Sequence, residues 1–407
     1  MPERLGSSFR WLLGSSWATN FGDGVAMAAA PLLILSLTRD PFLISLGALI
    51  GWAPPLVFSL YAGVLSDRLD RRRIVLVANV VRLALVAALI AMIATGSVTV
   101  TLALVALALI GVTEVFADNT TSTLTPMLVS RDDLLVANAR LQTGFITFNQ
   151  LAGPPLGALL FTVGAAWPFA GQALLVAAGL VMISRIKLPP HGRRNGTGGA
   201  GLWQDLKEGF GWTVRHAAVR TLVLTILIFN FTFGAAWSVL VLYTTERLGL
   251  GSIGFGLITT VGAVGGLVGT GLYGAITRRF SLGVIMRVGL ILETLTHLGL
   301  ALTTSPWMAS VIFLLFGAHA FIWGATSVTV RQRAVPDELQ GRVGSVNTLC
   351  VFGGLVVGSL IGGALASHYG VTAPFWFAFA GSAVFVVALW RQLLHITHDE
   401  PEAARQA

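Results

Sequence analysis

Residues 62–74 read AGVLSDRLDRRRI. Six of the seven positions from Asp67 to Arg73 are charged, in a 407-residue chain of which only 11% is Asp, Glu, Lys or Arg. On either side of this turn the charge disappears: 41–66 before it and 83–113 after it contain none. Further charge-free stretches follow at 141–184, 221–245, 248–277 and 343–390. A bilayer span needs about 20 apolar residues. Several of these runs are long enough for two, with breaks at TGS (95–97) and GAAWP (164–168). Hydrophobic residues make up 55% of the chain and its mean hydropathy is +0.80, whereas a soluble domain carries about 25% charge. The chain reads as a polytopic helical membrane protein.

Turns placed between the runs predict twelve spans: 11–37, 42–66, 74–95, 98–128, 134–163, 167–187, 218–245, 252–277, 282–303, 306–333, 340–367 and 371–393. A transmembrane barrel would need alternating segments of about ten residues, and none occur. The first span carries Asp23 mid-way and is too long for a cleaved leader, so it counts as structure.

The net charge of +8 reports topology. With the N-terminus cytoplasmic, 24 of the 26 Lys and Arg fall at cytoplasmic loops, tails or helix ends, as the positive-inside rule requires. The exceptions, Arg39 and Arg247, each adjoin an acid, Asp40 or Glu246. Both termini are expected in the cytoplasm of a prokaryotic inner membrane, and no nucleic-acid partner is implied. Cys350 is alone inside the eleventh span, which excludes an intramolecular disulfide.

The longest polar stretch, 188–216, is Gly-rich and basic at its centre. It reads as a flexible cytoplasmic linker that opens into a short interfacial helix near Trp203–Trp212. It joins an N-terminal six-helix bundle (1–187) to a C-terminal one (217–395), with a cytoplasmic tail at 396–407. The halves resemble each other. VSRDDL (129–134) aligns with AVPDEL (334–339), and the same offset of 205 sets GPPLGA (153–158) on GSLIGG (358–363). NFGDG (20–24) resembles TFGAA (232–236), and GVLSDR (63–68) resembles GAITRR (274–279). Two parallel six-helix repeats describe a secondary transporter with its substrate site between the halves.

Ionisable residues inside spans cost about 2.5–3.5 kcal/mol each by insertion scales and mark function by default. Few occur: Asp23 in span one, Arg82 in span three, Glu114 and Asp118 one turn apart in span four, Glu293 and His297 in span nine, and His319 in span ten. No Ser/His/Asp arrangement or metal-ligand spacing appears. Neither an enzyme nor a cofactor or metal site is therefore expected. A non-transporting receptor or scaffold fits poorly with buried acids and no appended soluble domain.

GVLSDRLDRR resembles the loop signature of the major facilitator superfamily, G-x-x-x-D-R-x-G-R-R, with Asp70 in place of the usual glycine. FGDGVAMAAAPLLILSLTRDP (21–41), LVSRDDLLVANA (128–139) and RQRAVPDELQGRV (331–343) are similar to the branch that holds macrolide efflux pumps and the enterobactin exporter. The resemblance implies an all-α major facilitator fold with spans one, four, seven and ten lining a central cavity. Asp23, Glu114, Asp118 and His319 would then face the substrate path as proton-coupling or substrate residues. Asn20, Asn230, Phe233, Trp237 and Trp323 would line it, beside Phe229 and Phe316. A cytoplasmic latch would use Gly63, Asp67, Arg68, Arg71, Arg72 and Arg342, with Gly63 allowing close helix approach and Asp67 facing Arg342 at the start of span eleven. NQLAGPPLGALL (149–160) is similar to the antiporter signature of span five, with Gly153, Pro154 and Gly157 matching. The expected function is proton-coupled export of amphipathic drugs or natural products by a monomer in the lipid bilayer. A siderophore exporter or lysophospholipid flippase of the same branch is the alternative. One proton crossing 100 mV supplies about 2.3 kcal/mol, enough for a roughly fifty-fold gradient of a neutral solute.

Overall fold

A computed structural model of the chain describes residues 5–187 and 202–392, the side chains of Asp67, Leu202 and Trp203 excepted. The centre of the expected linker and the tail at 396–407 lie outside the described residues. The chain divides into two compact units, Met1–Arg194 with Thr244–Thr260, and Asn195–Tyr243 with Val261–Ala407. The expected bundles differ from this division chiefly in Thr244–Thr260, which clusters with the first unit.

Among the described residues every long element is helical. The first unit contains α1 (Gly6–Leu37), α2 (Pro41–Arg68), α3 (Arg71–Ala94), α4 (Val100–Leu128), α5 (Leu134–Gly144), α6 (Gly153–Val163) and α7 (Trp167–Ser184). Then follow α8 (Leu202–Arg215), α9 (Ala217–Trp237), the single turn α10 (Leu240–Leu242), α11 (Ser252–Arg279), α12 (Leu282–Leu302), α13 (Pro306–Ala334), α14 (Gln340–Tyr369) and α15 (Ala373–Leu389). Short polar residues start these helices by accepting from free backbone N–H groups. Asp40 caps α2 at Phe42 N, Asp70 caps α3 at Arg73 N, and Ser281 caps α12 at Val284 N. The aspartate that departs from the loop signature thus has a local role: Asp70 ends one helix connection and begins the next helix.

Ten of the described helices are long and apolar enough to cross a membrane: α1–α4, α7, α9 and α11–α14. The predicted span at 134–163 is a continuous helical run in three pieces, α5, a π-helical segment Phe145–Ala152, and α6. Pro154 and Pro155 have no N–H to offer the preceding turn, and the wider i→i+5 pattern lies directly before them. The predicted span at 371–393 is the 17-residue α15.

In the first unit α1 is the central element, packed on α7, α6 and α4. Glycine permits the closest approaches, as small residues do between membrane helices. A Cβ on Gly24 would meet the Asn149 and Phe148 carbonyl oxygens, and one on Gly157 would meet the Val25 carbonyl. By contrast, a Cβ on Gly63 would meet nothing within 4 Å. The closest backbone approaches within the first unit fall at Gly24, Gly153 and Gly157. In the second unit α9 packs on α14 through Gly234, Gly354 and Gly358, and α12 lies against α13 and α15.

Candidate functional site

Asp23 sits where α1 is crossed most tightly. Its neighbours Gly22 and Gly24 bring the backbone against Gln172 of α7 and Asn149 of the π segment. The carboxylate itself is nearly enclosed, with 8% of the side chain exposed. Opposite it comes Arg82 of α3, 1% exposed, whose Nη2 donates to Asp23 Oδ1 and, at 3.4 Å, to Glu114 Oε2. Asp118, one turn along α4, completes the group: the carboxylate oxygens of Asp23, Glu114 and Asp118 lie within 4.8 Å of one another. Burial decreases in that order, Asp23 being buried, Glu114 half-buried and Asp118 exposed.

Three acids at this spacing are a set that a divalent cation could use, but here a guanidinium stands among them. A buried charge persists only when paired and hydrogen-bonded, and Arg82 supplies that pairing for Asp23. Fully ionised, three carboxylates around one guanidinium carry a net charge of −2. The arrangement can therefore bind protons or an organic cation from the side on which Asp118 is open.

The structure thus brings Asp23, Glu114 and Asp118 together and places His319 in the other unit, with Glu293 and His297. Glu293 Oε1 lies 2.9 Å from His297 Nε2, and its Oε2 lies 3.2 Å from His319 Nε2. All three are buried. Sequence reading passed over Arg82 as a site residue. An arginine two turns inside an apolar helix was itself the signal, since that position is tolerated only with a partner.

The aromatic residues expected to line a cavity stack on one another in the second unit. Phe229 lies parallel to Trp323 at 5.4 Å, Phe233 stacks on Trp237 at 4.2 Å, and Trp237 leans on Phe316 at 4.7 Å. Trp323 and Phe316 are buried, while Phe229, Phe233 and Trp237 form a half-buried shelf along one face of α9. Asn20 and Asn230 donate their amides to Ser16 O and Ile226 O on their own helices.

In the loop cluster, Arg71 Nε donates to Ser66 O and its Nη1 donates to Thr123 O of α4. Arg72 donates to Ser184 O, the last carbonyl of α7. Cations at helix C-terminal ends are favoured by the helix dipole, so this part of the cluster pins the loop to its own unit. Arg68 is exposed, and the side chain of Asp67 lies outside the described residues. Arg342 bonds Asp205 and Glu208 of α8, each at 2.9 Å.

Over residues 5–406 the sequence matches the family described as transmembrane secretion effector. The chain belongs to that family of major facilitator transporters. The resemblance drawn from the loop signature and the macrolide-efflux branch is borne out, and the family is one of transporters and not of enzymes. Macrolide efflux protein A of Streptococcus pyogenes is 20% identical over 394 residues, covering 92% of this chain and 93% of that protein. The multidrug efflux pump Tap of Mycolicibacterium fortuitum is 24% identical over 381 residues, covering 89% of this chain and 90% of the pump. The human solute carrier family 67 member A1 is 30% identical over 156 residues, 37% of this chain, which spans only 35% of that carrier's length. In fold, the chain is similar to the nucleoside transporter NupG, with a TM-score of 0.71 at 12% identity over 97% of this chain and 100% of that one. A bacterial homologue of the human lysosomal transporter Spinster has a TM-score of 0.67 at 13% identity, covering 97% of each chain.

Proposed function

We propose that this protein is a proton-coupled exporter of amphipathic molecules, cationic or neutral, working by alternating access. In this reading twelve spans form two parallel six-helix repeats, with both termini and the linker in the cytoplasm of a prokaryotic inner membrane. The observation that carries it is the Arg82 cage, in which one guanidinium is shared among three acids of graded exposure in a chain of an efflux-rich family. Macrolide efflux protein A and the Tap pump supply the substrate class by similarity.

The chemistry follows from charge. Ionised, the cluster carries two uncompensated negative charges, and withdrawing them from water is unfavourable. Protons on Glu114 and Asp118 cancel that charge and leave Arg82–Asp23 as a neutral buried pair. A monocationic substrate at one of the open acids, with a proton on the other, cancels it as well. Only the neutralised forms reorient cheaply, so protons and substrate exchange across the membrane.

The test compares uphill, pH-driven accumulation with equilibrium exchange in vesicles for Asp23→Asn, Glu114→Gln and Asp118→Asn. Loss of accumulation with retained exchange is expected for at least one of the acids. Wild-type accumulation in all three overturns the reading.

A further inference from the structure

Two polar centres occupy corresponding places in the two halves. The caps Asp70 and Ser281, which begin α3 and α12, stand 211 residues apart, and so do Arg82 and Glu293. The RDDL and PDEL motifs that follow α4 and α13 stand 205 residues apart, and so do Glu114 and His319. Both pairs are in contact, Arg82 Nη2 to Glu114 Oε2 at 3.4 Å and Glu293 Oε2 to His319 Nε2 at 3.2 Å. The signs are exchanged. A cation is surrounded by carboxylates in one half, and a carboxylate is flanked by imidazoles in the other.

We infer that Glu293, His297 and His319 form a second proton-binding site, in which an arriving proton is held at Nδ1 of His297 or His319. Glu293 is 1% exposed and spends one oxygen on each histidine Nε2. A neutral imidazole that donates from Nε2 keeps a lone pair at Nδ1. Both Nδ1 atoms are buried and have no hydrogen-bond partner among the described residues. With both rings neutral, the carboxylate has donors but no counter-charge, and a buried carboxylate in that state is costly. One proton turns the group into a neutral Glu293–imidazolium pair, and a second gives it a charge of opposite sign.

The surroundings leave the proton as the natural counter-charge. Thr225 and Thr232 of α9 and Ser382 of α15 share a small cavity with Glu293, and Trp237 and Phe316 set ring faces or edges against the two histidines. The elements packed against the triad carry their cations elsewhere. Arg287 of α12 engages Trp390, Arg220 at the start of α9 donates to Val214 O, Arg331 and Arg333 lie in the last turn of α13, and Arg278 and Arg279 lie in the last turn of α11. No charged group of α15 faces it, since that helix has none.

This site extends the proton-coupled reading and is separable from it. The decisive measurement is 15N NMR of the full chain in nanodiscs with labelled histidine. The seven histidines are assigned through single Gln variants. Gln serves because its amide can still donate to Glu293 and preserve the fold. Across a pH titration, Nδ1 of His297 or His319 should switch between lone-pair and protonated states, and Glu293→Gln should abolish that switch. Nδ1 signals that never change, or a switch indifferent to Glu293→Gln, overturn the inference. In vesicles, His297→Gln or His319→Gln should lower accumulation per unit of pH gradient about tenfold when each is normalised to its own downhill exchange, the value of one lost proton. Unchanged accumulation in both removes the triad from coupling. Neither arm depends on the variants of Asp23, Glu114 and Asp118, so failure of one site does not conceal failure of the other.

Discussion

Arg82 of α3 donates to the carboxylate of Asp23 on α1, a pair 59 residues apart in the chain and almost entirely withdrawn from solvent. Each is the condition for the other's burial, and Glu114 and Asp118 border the pair, Asp118 on its exposed side.

Removing one partner should therefore cost more than removing both. Arg82→Gln leaves Asp23 buried without a cation, a change that typically costs about 3–5 kcal/mol. The double variant Arg82→Gln, Asp23→Asn should regain much of that loss, because two amides can hydrogen-bond without charge. Thermal unfolding of the purified protein in detergent measures both. A double variant no more stable than Arg82→Gln alone would show that the pair is not the source of the effect.

Backbone contact at α1 makes a second expectation. Gly24→Val or Gly157→Val inserts carbon where a carbonyl oxygen already stands, and overpacking of this kind typically costs about 1–3 kcal/mol. Both variants should lower the melting temperature and impair transport, since α1 also carries Asp23. Gly63→Ala enters open space and should leave stability unchanged. Equal losses at all three glycines would contradict the crossing described here.

The loop cluster yields a third. Arg342 holds Asp205 and Glu208 of α8 through partly exposed pairs, each worth about 0.2–1 kcal/mol. Arg342→Ala should release α8 and raise the rate of proteolysis in the linker, and Asp205→Asn should do so to a smaller extent. We also propose that Asp67 acts with Arg342 as a latch. In that case the transport losses of Asp67→Asn and Arg342→Ala are much less than additive, while Asp67→Asn leaves linker proteolysis alone. Additive transport losses would leave Arg342 as an anchor for α8 only.

The solvent and the family are legible in the residues alone. Charge-free runs of span length dictate membrane helices because no backbone polar group can go unpaired in lipid, and the turn at Asp67–Arg73 carries the loop signature. The sequence also exposes each buried ionisable residue, since a charge in an apolar run stands out without any structure. Partnership was another matter. Asp23 and Arg82 lie on different helices, and so do Glu293 and His319; helical spacing orders residues along one face but says nothing of which faces meet. That meeting is set by glycines whose missing side chains let particular backbones touch, and by prolines at 154 and 155 that widen the turn before them. Only the tertiary structure could turn a lone arginine in span three into the centre of an acidic cage, and a lone histidine in span ten into one arm of a carboxylate flanked by two imidazoles. The physical reason is that a charge in lipid is defined by its partner, and partners are chosen by packing between helices distant in sequence.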